Sequence, residues 1–189
     1  PSLGELSAAS QRLQIAALKY EIEQMRSHAS LQGYVITEFT DVHWECNGLL
    51  DMLRRPKAGF EQLAQFNADD LLIPRTQRLA LRQGEECQME IALSHYSQLD
   101  LQGGWLTWQV VGFPGCQGEM AGLNPPAYTV APLGMFQFCV PEVSEVTRAS
   151  VELHLHDTGR RLVRHDLEVV GLAAHHRAER DQRVVAPAG

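Results

Sequence analysis

Side chains of the kinds that bind sugars crowd together early in the chain. Glu38, Asp41 and Glu45 supply carboxylates, Asn47 supplies an amide, and Trp44 supplies an indole plane. Carboxylates and amides hydrogen-bond the hydroxyl groups of a sugar, and an indole face stacks on the apolar face of a pyranose ring. The cluster therefore indicates a carbohydrate site. The alternative is a solvated loop in which Trp44 packs against the helix that follows.

The elements that flank this cluster indicate an α/β unit. Apolar residues at steps of three and four predict an amphipathic helix over residues 10–28. Residues 34–37 form an apolar run without alternation, which is typical of a strand buried on both faces. A second helix is predicted over 58–66, with Pro56 just before its start. In barrels of alternating strands and helices, the active site lies in the loops that follow the strands. The polar cluster occupies such a position.

A longer stretch of the same region carries a family resemblance. It comprises Gly33-Tyr34-Val35-Ile36-Thr37-Glu38-Phe39-Thr40-Asp41-Val42, then Glu45, Asn47-Gly48-Leu49 and Arg55-Pro56-Lys57. These residues resemble the eighth and last barrel strand and the following loop of glycoside hydrolase family 2 members related to β-galactosidases. One difference is that Glu38 stands where those relatives often have Gln.

The resemblance implies a retaining mechanism with two catalytic glutamates, whose carboxyl groups lie about 5–5.5 Å apart. In the family, these glutamates end the fourth and seventh barrel strands. Both are therefore expected upstream of Pro1, so this chain contributes no catalytic residue. The alternative is that Glu38 is the nucleophile. The resemblance implies that five residues line the sugar pocket or support it from behind: Glu38, Asp41, Trp44, Glu45 and Asn47.

The remainder of the chain has the pattern of an immunoglobulin-like β-sandwich. Apolar and polar residues alternate over 87–94, and further strands are predicted at 105–110, 135–140, 151–155 and 162–170. The glycines and prolines of residues 112–126 predict a long loop, and Pro74 predicts a linker. The predicted organisation is a terminal α/β segment of a glycosidase barrel at 1–72, the β-sandwich at 73–175 and a flexible tail at 176–189. The fold class is mainly β.

The last two strands are predicted to form a hairpin that contains a bulge. A two-residue turn at Thr158 and Gly159 would place Leu167 and Val169 outward, which exposes apolar area and buries charge. One extra residue reverses the faces of everything after it. We therefore predict a β-bulge between Val163 and Asp166, with a longer turn as the alternative.

Composition excludes several classes of protein. The net charge is −7 without a basic block, so no nucleic-acid partner is expected, and no apolar run is long enough for a membrane span. The four cysteines are widely spaced and favour reduced thiols, hence a cytoplasmic location. His154, His156 and His165 with Glu152 could share one sheet face and hold zinc, but an exposed polar face is the interpretation adopted. No metal and no cofactor are predicted.

The resemblance implies that the chain is the C-terminal fragment of a retaining glycosidase that hydrolyses O-glycosidic bonds and is inactive alone. The alternative is a free-standing β-sandwich that binds carbohydrate or protein. The partner of the parent enzyme would be its carbohydrate substrate. The isolated barrel strand would leave an unpaired apolar edge, so a homo-oligomer or a swap of the N-terminal segment is expected.

Overall fold

The computed structural model describes residues 1–98, 100–157 and 160–173, and for residues 160–162 it describes the backbone only. The chain begins with helix α1, Leu3–Arg26. Ser2 and Glu5 start this helix with a capping box, in which the Ser2 hydroxyl accepts a hydrogen bond from the Glu5 N–H and the Glu5 carboxylate accepts one from the Ser2 N–H. The helix therefore starts seven residues before the predicted position. No helix within the described residues is long and apolar enough to cross a membrane.

After a 3-10 turn at Phe60–Gln62 and the single helical turn α2, Leu63–Phe66, the described residues form eight strands. The strands are β1 Asp70–Arg75, β2 Ala80–Arg82, β3 Glu86–His95, β4 Gly104–Val111, β5 Gln117–Leu123, β6 Thr129–Cys139, β7 Thr147–Asp157 and β8 Arg160–Leu172. They form a three-stranded antiparallel sheet in the order β1-β3-β6 and a five-stranded sheet in the order β2-β8-β7-β4-β5, in which only the β2–β8 pair is parallel. The protein is thus mainly β with two sheets, as predicted.

The main hydrophobic core lies between the two sheets. Alternate residues of β3, β4 and β7 are buried, including Leu93, Leu106 and Leu153, which are fully buried. Each such side chain contributes about 1.5–3 kcal/mol by leaving water. Trp108 of β4 stacks on Phe136 of β6 with ring centroids 4.2 Å apart, so one aromatic pair joins the two sheets.

A second core attaches α1 to the three-stranded sheet. Ile15 and Ile22 of the helix pack with Leu71 and Ile73 of β1 and with Phe66. The intervening residue of β1, Leu72, points into the main core instead. Strand β1 is therefore buried on both faces, which explains its unbroken apolar run.

The predicted strand at residues 34–37 is wrong. The structure has no strand there: the Val35 side chain is 89% exposed, and the Tyr34 hydroxyl donates to Asn67 Oδ1. An apolar β-branched run becomes a strand only where another strand pairs with it, because its backbone groups need partners. The second predicted helix is also shorter than expected. Gly59 has a φ of 92°, in the left-handed region, so a helix cannot run through it.

The predicted linker and the predicted long loop both contain strands. Pro74 lies in β1, an edge strand of its sheet, where the missing N–H costs no ladder hydrogen bond. Residues 112–126 contain β5, whose Gly118 lies against the indole of Trp108. A Cβ at Gly118 would come 2.7 Å from that ring, so this glycine is required by packing and does not mark a loop.

The β7–β8 pair contains a bulge, but not between Val163 and Asp166 as predicted. The register shifts one step earlier, since Leu155 pairs with Val163 whereas His156 pairs with Arg161. The predicted consequence holds: Val169 is fully buried, and Leu167 packs against the main core. The turn residues, 158 and 159, and the predicted tail, 176–189, lie outside the described residues.

Candidate functional site

The predicted sugar-binding residues lie on a folded loop of residues 38–57, which we call the 38–57 loop. Backbone hydrogen bonds bring its two ends together, from Leu49 N–H to Glu38 O and from Lys57 N–H to Leu49 O. Side chains of α1 hold it in place: Gln14 donates to the carbonyls of Asn47 and Gly48, and Gln11 accepts from the Ala58 N–H. The loop thus belongs to the same packed unit as the helix.

A buried ion pair stabilises the interior of the loop. Lys57 Nζ lies 2.7 Å from Asp41 Oδ1 and 2.8 Å from the Cys46 carbonyl oxygen. Asp41 Oδ1 also accepts a hydrogen bond from the Gly48 N–H at 2.8 Å. The side chains of Lys57 and Asp41 are only 5% and 10% exposed. Asp41 therefore braces the loop rather than facing a ligand.

The loop is packed so closely that Gly48 can carry no side chain. A Cβ at Gly48 would lie 2.4 Å from the Asp41 backbone nitrogen and 2.6 Å from the Thr40 carbonyl carbon. Any larger residue would displace the backbone that presents Asp41. Lys57, the partner of Asp41, was not among the predicted site residues. It lies two residues after Arg55, in the predicted entry to the second helix, and no feature of the sequence distinguishes a buried lysine from an exposed one.

Trp44, Glu45 and Asn47 lie at the exposed tip of the loop. The Trp44 side chain is 73% exposed and touches the ring of His43 edge-on, with centroids 4.0 Å apart. Its exposure excludes the alternative in which it packs against the following helix. Asn47 Nδ2 donates to Glu45 Oε1 at 3.0 Å. The tip therefore offers one indole plane beside an ordered carboxylate–amide pair.

Glu38 lies at the base of the loop and is half-buried. Its Oε1 is fully buried and has no hydrogen-bond partner among the described residues. The structure thus brings together Asp41 with Lys57 and Gly48, and Glu45 with Asn47. Neither group contacts the Glu38 carboxylate through a hydrogen bond or ion pair of the described chain.

The histidines considered as metal ligands point to opposite faces of the five-stranded sheet. His154 and His156 alternate with buried Leu153 and Leu155 and therefore lie on the outer face. His165 pairs with Leu153 and is buried, with Nε2 2.7 Å from Glu23 Oε1 of α1. Within the described ranges, no three potential ligand side chains meet in a geometry that could hold a metal ion.

A groove that the sequence did not predict lies on the outer face of the five-stranded sheet. This outer groove has a volume of about 400 Å³ and runs along β4 and β5 up to β7. The only signal in the sequence is the polar residues at alternate positions of 105–110, Thr107 and Gln109. The groove is lined by Thr107, Trp108, Gln109, Gln117, Gly118, Glu119 and His154.

No protein-family model matches the chain, and no curated protein matches it. Among solved structures it is similar to the Pseudomonas fluorescens alkylpurine DNA glycosylase AlkC bound to DNA containing an abasic site analog. That match has 11% identity and a TM-score of 0.41, and it covers 56% of this chain and 31% of the glycosylase. The chain is also similar to the Bacillus subtilis sporulation control protein Spo0M. Here identity is 13% and the TM-score 0.41, with coverage of 62% of this chain and 56% of Spo0M. The chain thus spans less than two thirds of either protein, and both likenesses are too distant to bear on function.

Proposed function

We propose that this chain is the C-terminal part of a retaining glycosidase that resembles glycoside hydrolase family 2. In this proposal, the segment before the β-sandwich ends a catalytic barrel, and the sandwich is an immunoglobulin-like domain that follows it. The two catalytic glutamates lie upstream, so the chain alone does not hydrolyse glycosides. The resemblance over residues 33–57 is the starting point.

The observation that carries this proposal is the uneven distribution of exposed apolar side chains. Ten of the fifteen exposed large hydrophobic residues of the described chain lie in its first 53 residues. Exposed apolar side chains are therefore concentrated in the first 53 residues. Such a concentration is typical of a segment that packs against further protein. The exposed residues are Leu3, Leu6, Leu13, Tyr20, Leu31, Val35, Phe39, Trp44, Met52 and Leu53.

The same observation disfavours a free-standing β-sandwich with a helical extension. Such a module would cover the apolar side of its extension or carry polar residues there, because exposed apolar area promotes aggregation. Val35 and Leu3, at 89% and 85% exposure, are the clearest violations. The β-sandwich exposes far fewer large apolar side chains along a longer stretch of chain.

Within the proposed enzyme, the tip of the 38–57 loop contacts the sugar. Trp44 stacks on a pyranose ring. The Glu45 carboxylate accepts hydrogen bonds from the hydroxyl groups of the ring, and the Asn47 amide both donates hydrogen bonds to them and accepts from them. Asp41 and Lys57 act as positioning residues, because their buried pair fixes the backbone on which the tip stands. Glu38, next to the ordered base of the loop, braces the sugar pocket.

The test compares this chain with a longer polypeptide that includes the preceding few hundred residues of its gene product. On aryl β-galactoside, glucuronide and mannoside reporters, the short chain should show no turnover and the long one should be active. In the long protein, Trp44→Ala should reduce kcat/KM at least roughly tenfold, as loss of an aromatic anchor does, whereas Trp44→Phe should retain most of it. Turnover by the short chain that Glu38→Gln abolishes would make Glu38 the nucleophile and overturn the proposal.

A further inference from the structure

An indole of fixed orientation lies on the same sheet face as the outer groove. Trp105 of β4 lies on the same face as Thr107 and Gln109, since these three alternate with the buried Leu106 and Val110. Its indole stacks on the His156 ring with centroids 5.1 Å apart and only 7° between the planes. His156 Nε2 lies 3.3 Å from Thr107 Oγ1. The hydroxyl and the imidazole together therefore hold the indole upright beside the groove.

The two sides of that half-buried indole have different neighbours. On the β7 side of Trp105 stands His156, its register partner, but on the β5 side the partner is Ala121. Ala121 is exposed and carries a single methyl group, so it occupies little of the space beside the ring on the β5 side. This space continues along the strand past Glu119 and Gln117, which line the groove.

The floor of the groove carries polar side chains held by hydrogen bonds. Gln109 Nε2 donates to Glu152 Oε2 at 2.9 Å, which leaves the Gln109 amide oxygen as an oriented acceptor. Arg164 Nη2 lies 3.4 Å from Glu152 Oε1, so the charge of this carboxylate is partly balanced. Gln117 and Glu119 stand opposite Gln109 and Thr107 on β5 and are exposed. The groove thus presents side-chain hydrogen-bond donors and acceptors from neighbouring strands.

We propose that the outer groove is a binding site for a neutral polysaccharide, separate from the proposed catalytic pocket. A pyranose ring has an apolar face that can stack on an indole such as that of Trp105. Its hydroxyl groups both donate and accept, as amide, hydroxyl and carboxylate side chains require. Glu119 and Glu152, together with the net charge of −7, disfavour an anionic polymer. The site goes beyond the proposed function because it lies on the β-sandwich, and its occupation does not depend on hydrolysis.

The test is affinity electrophoresis of the 189-residue chain in gels that contain a soluble neutral polysaccharide. Hydroxyethylcellulose, galactan and xyloglucan are the probes, and polygalacturonate is the anionic comparison. We expect retardation by at least one neutral polymer and none by polygalacturonate. Trp105→Ala should weaken retardation at least roughly tenfold, as expected for a central aromatic contact. Glu119→Ala should also weaken it, and circular dichroism should show that both variants remain folded.

Trp44→Ala is the matched comparison, because it removes the same side chain from the 38–57 loop. Retardation that survives Trp44→Ala but not Trp105→Ala supports the outer groove whether or not the longer protein is a glycosidase. Loss in Trp44→Ala alone places the sugar on the loop and overturns this inference while leaving the proposed function intact. Absence of retardation by every neutral polymer, or retardation by polygalacturonate only, also overturns it.

Discussion

Glu23 Oε1 of helix α1 lies 2.7 Å from His165 Nε2 of strand β8, although 142 positions separate them in sequence. Lys19 Nζ completes the cluster, 2.7 Å from Glu23 Oε1 and 2.9 Å from His165 Nε2. A ring nitrogen cannot donate to a carboxylate and accept from an ammonium group at once. The consistent arrangement has the His165 Nε2–H and Lys19 both donating to Glu23. This buried cluster connects the N-terminal helix to the five-stranded sheet.

The cluster makes stability depend on pH in a defined direction. Burial lowers the pKa of His165 below its ordinary value of 6.5, despite the opposing effect of Glu23. Burial alone would raise the pKa of Glu23, but contacts with His165 and Lys19 lower it below 4.5. Both groups therefore bind protons more readily in the unfolded chain. Stability is fully present above about pH 6.5 and falls on acidification, first through His165 and then, below about pH 4.5, through Glu23.

Urea unfolding between about pH 8 and pH 5 measures the His165 contribution. Each unit by which its pKa is depressed corresponds to about 1.4 kcal/mol lost once the pH falls below the folded value. His165→Gln should be less stable than the wild type at pH 8 but should show a shallower decline with acid. Equal pH slopes for the two proteins would show that His165 does not titrate as described.

The strand pattern of the sandwich followed from the sequence, but the packing of the N-terminal segment did not. The alternation of apolar and polar residues from 87 to 94 identified β3, because one face of this strand is buried and the other is exposed to solvent. Residues 34–37 have strand-forming side chains, yet Val35 is solvent-exposed because no strand pairs with the segment. Leu71, Leu72 and Ile73 carry the same kind of apolar run and do form a strand, since β3 pairs with them. A short apolar run does not show which strand will pair with it, and this pairing decides whether the run becomes a strand.

The sequence showed which polar residues gather near Trp44 but not how they are arranged. In the structure Trp44 is exposed at the tip of the loop, whereas the Asp41 side chain is almost fully buried. The separate role of Asp41 depends on a lysine sixteen residues later that folds back over it. Such a contact is a property of the tertiary fold. The outer groove was missed for a related reason, because its residues come from three strands and adjoin only through sheet register.

Removing the partner of Asp41 should destabilise the 38–57 loop. In Lys57→Met the carboxylate stays buried and keeps only the Gly48 N–H, so we expect a loss of roughly 3–5 kcal/mol in the free energy of unfolding. Arg55→Ala is the control, because it breaks the Asp51–Arg55 pair whose arginine is 71% exposed. That change should cost no more than about 1 kcal/mol. Similar losses for both variants in urea unfolding would contradict a buried brace at Asp41.

Gly118→Ala tests the contact between β5 and the aromatic pair that joins the sheets. The new methyl group would lie 2.7–2.8 Å from three atoms of the Trp108 indole, which is stacked on Phe136 and cannot easily move. We expect a loss of about 1–3 kcal/mol. Gly33→Ala, which meets nothing within 4 Å, should stay within about 1 kcal/mol of the wild type. Trp108→Phe removes the crowded ring edge, so Gly118→Ala should cost less in that background. Additive effects in this double-mutant cycle would exclude the contact as the cause.

The last prediction concerns self-association of the isolated chain. Leu6, Leu13 and Tyr20 are spaced by seven residues on α1 and are 54%, 71% and 63% exposed, so they form one apolar stripe along the helix. Side chains at this spacing meet a second helix along a common seam. With no further protein to cover the stripe, two copies of this chain should pair through it.

Sedimentation velocity across a range of protein concentrations should therefore show a dimer or a higher assembly. Leu13→Glu combined with Tyr20→Glu should shift the protein to monomer, because apposed carboxylates would be desolvated at the seam. Val111→Glu, an exposed apolar position on β4 at 49% exposure, is the matched control and should leave the assembly unchanged. If Val111→Glu disrupts the assembly and the helix variant does not, the copies meet through the five-stranded sheet instead. A wild-type chain that stays monomeric at every concentration would show that the stripe on α1 is not an association surface.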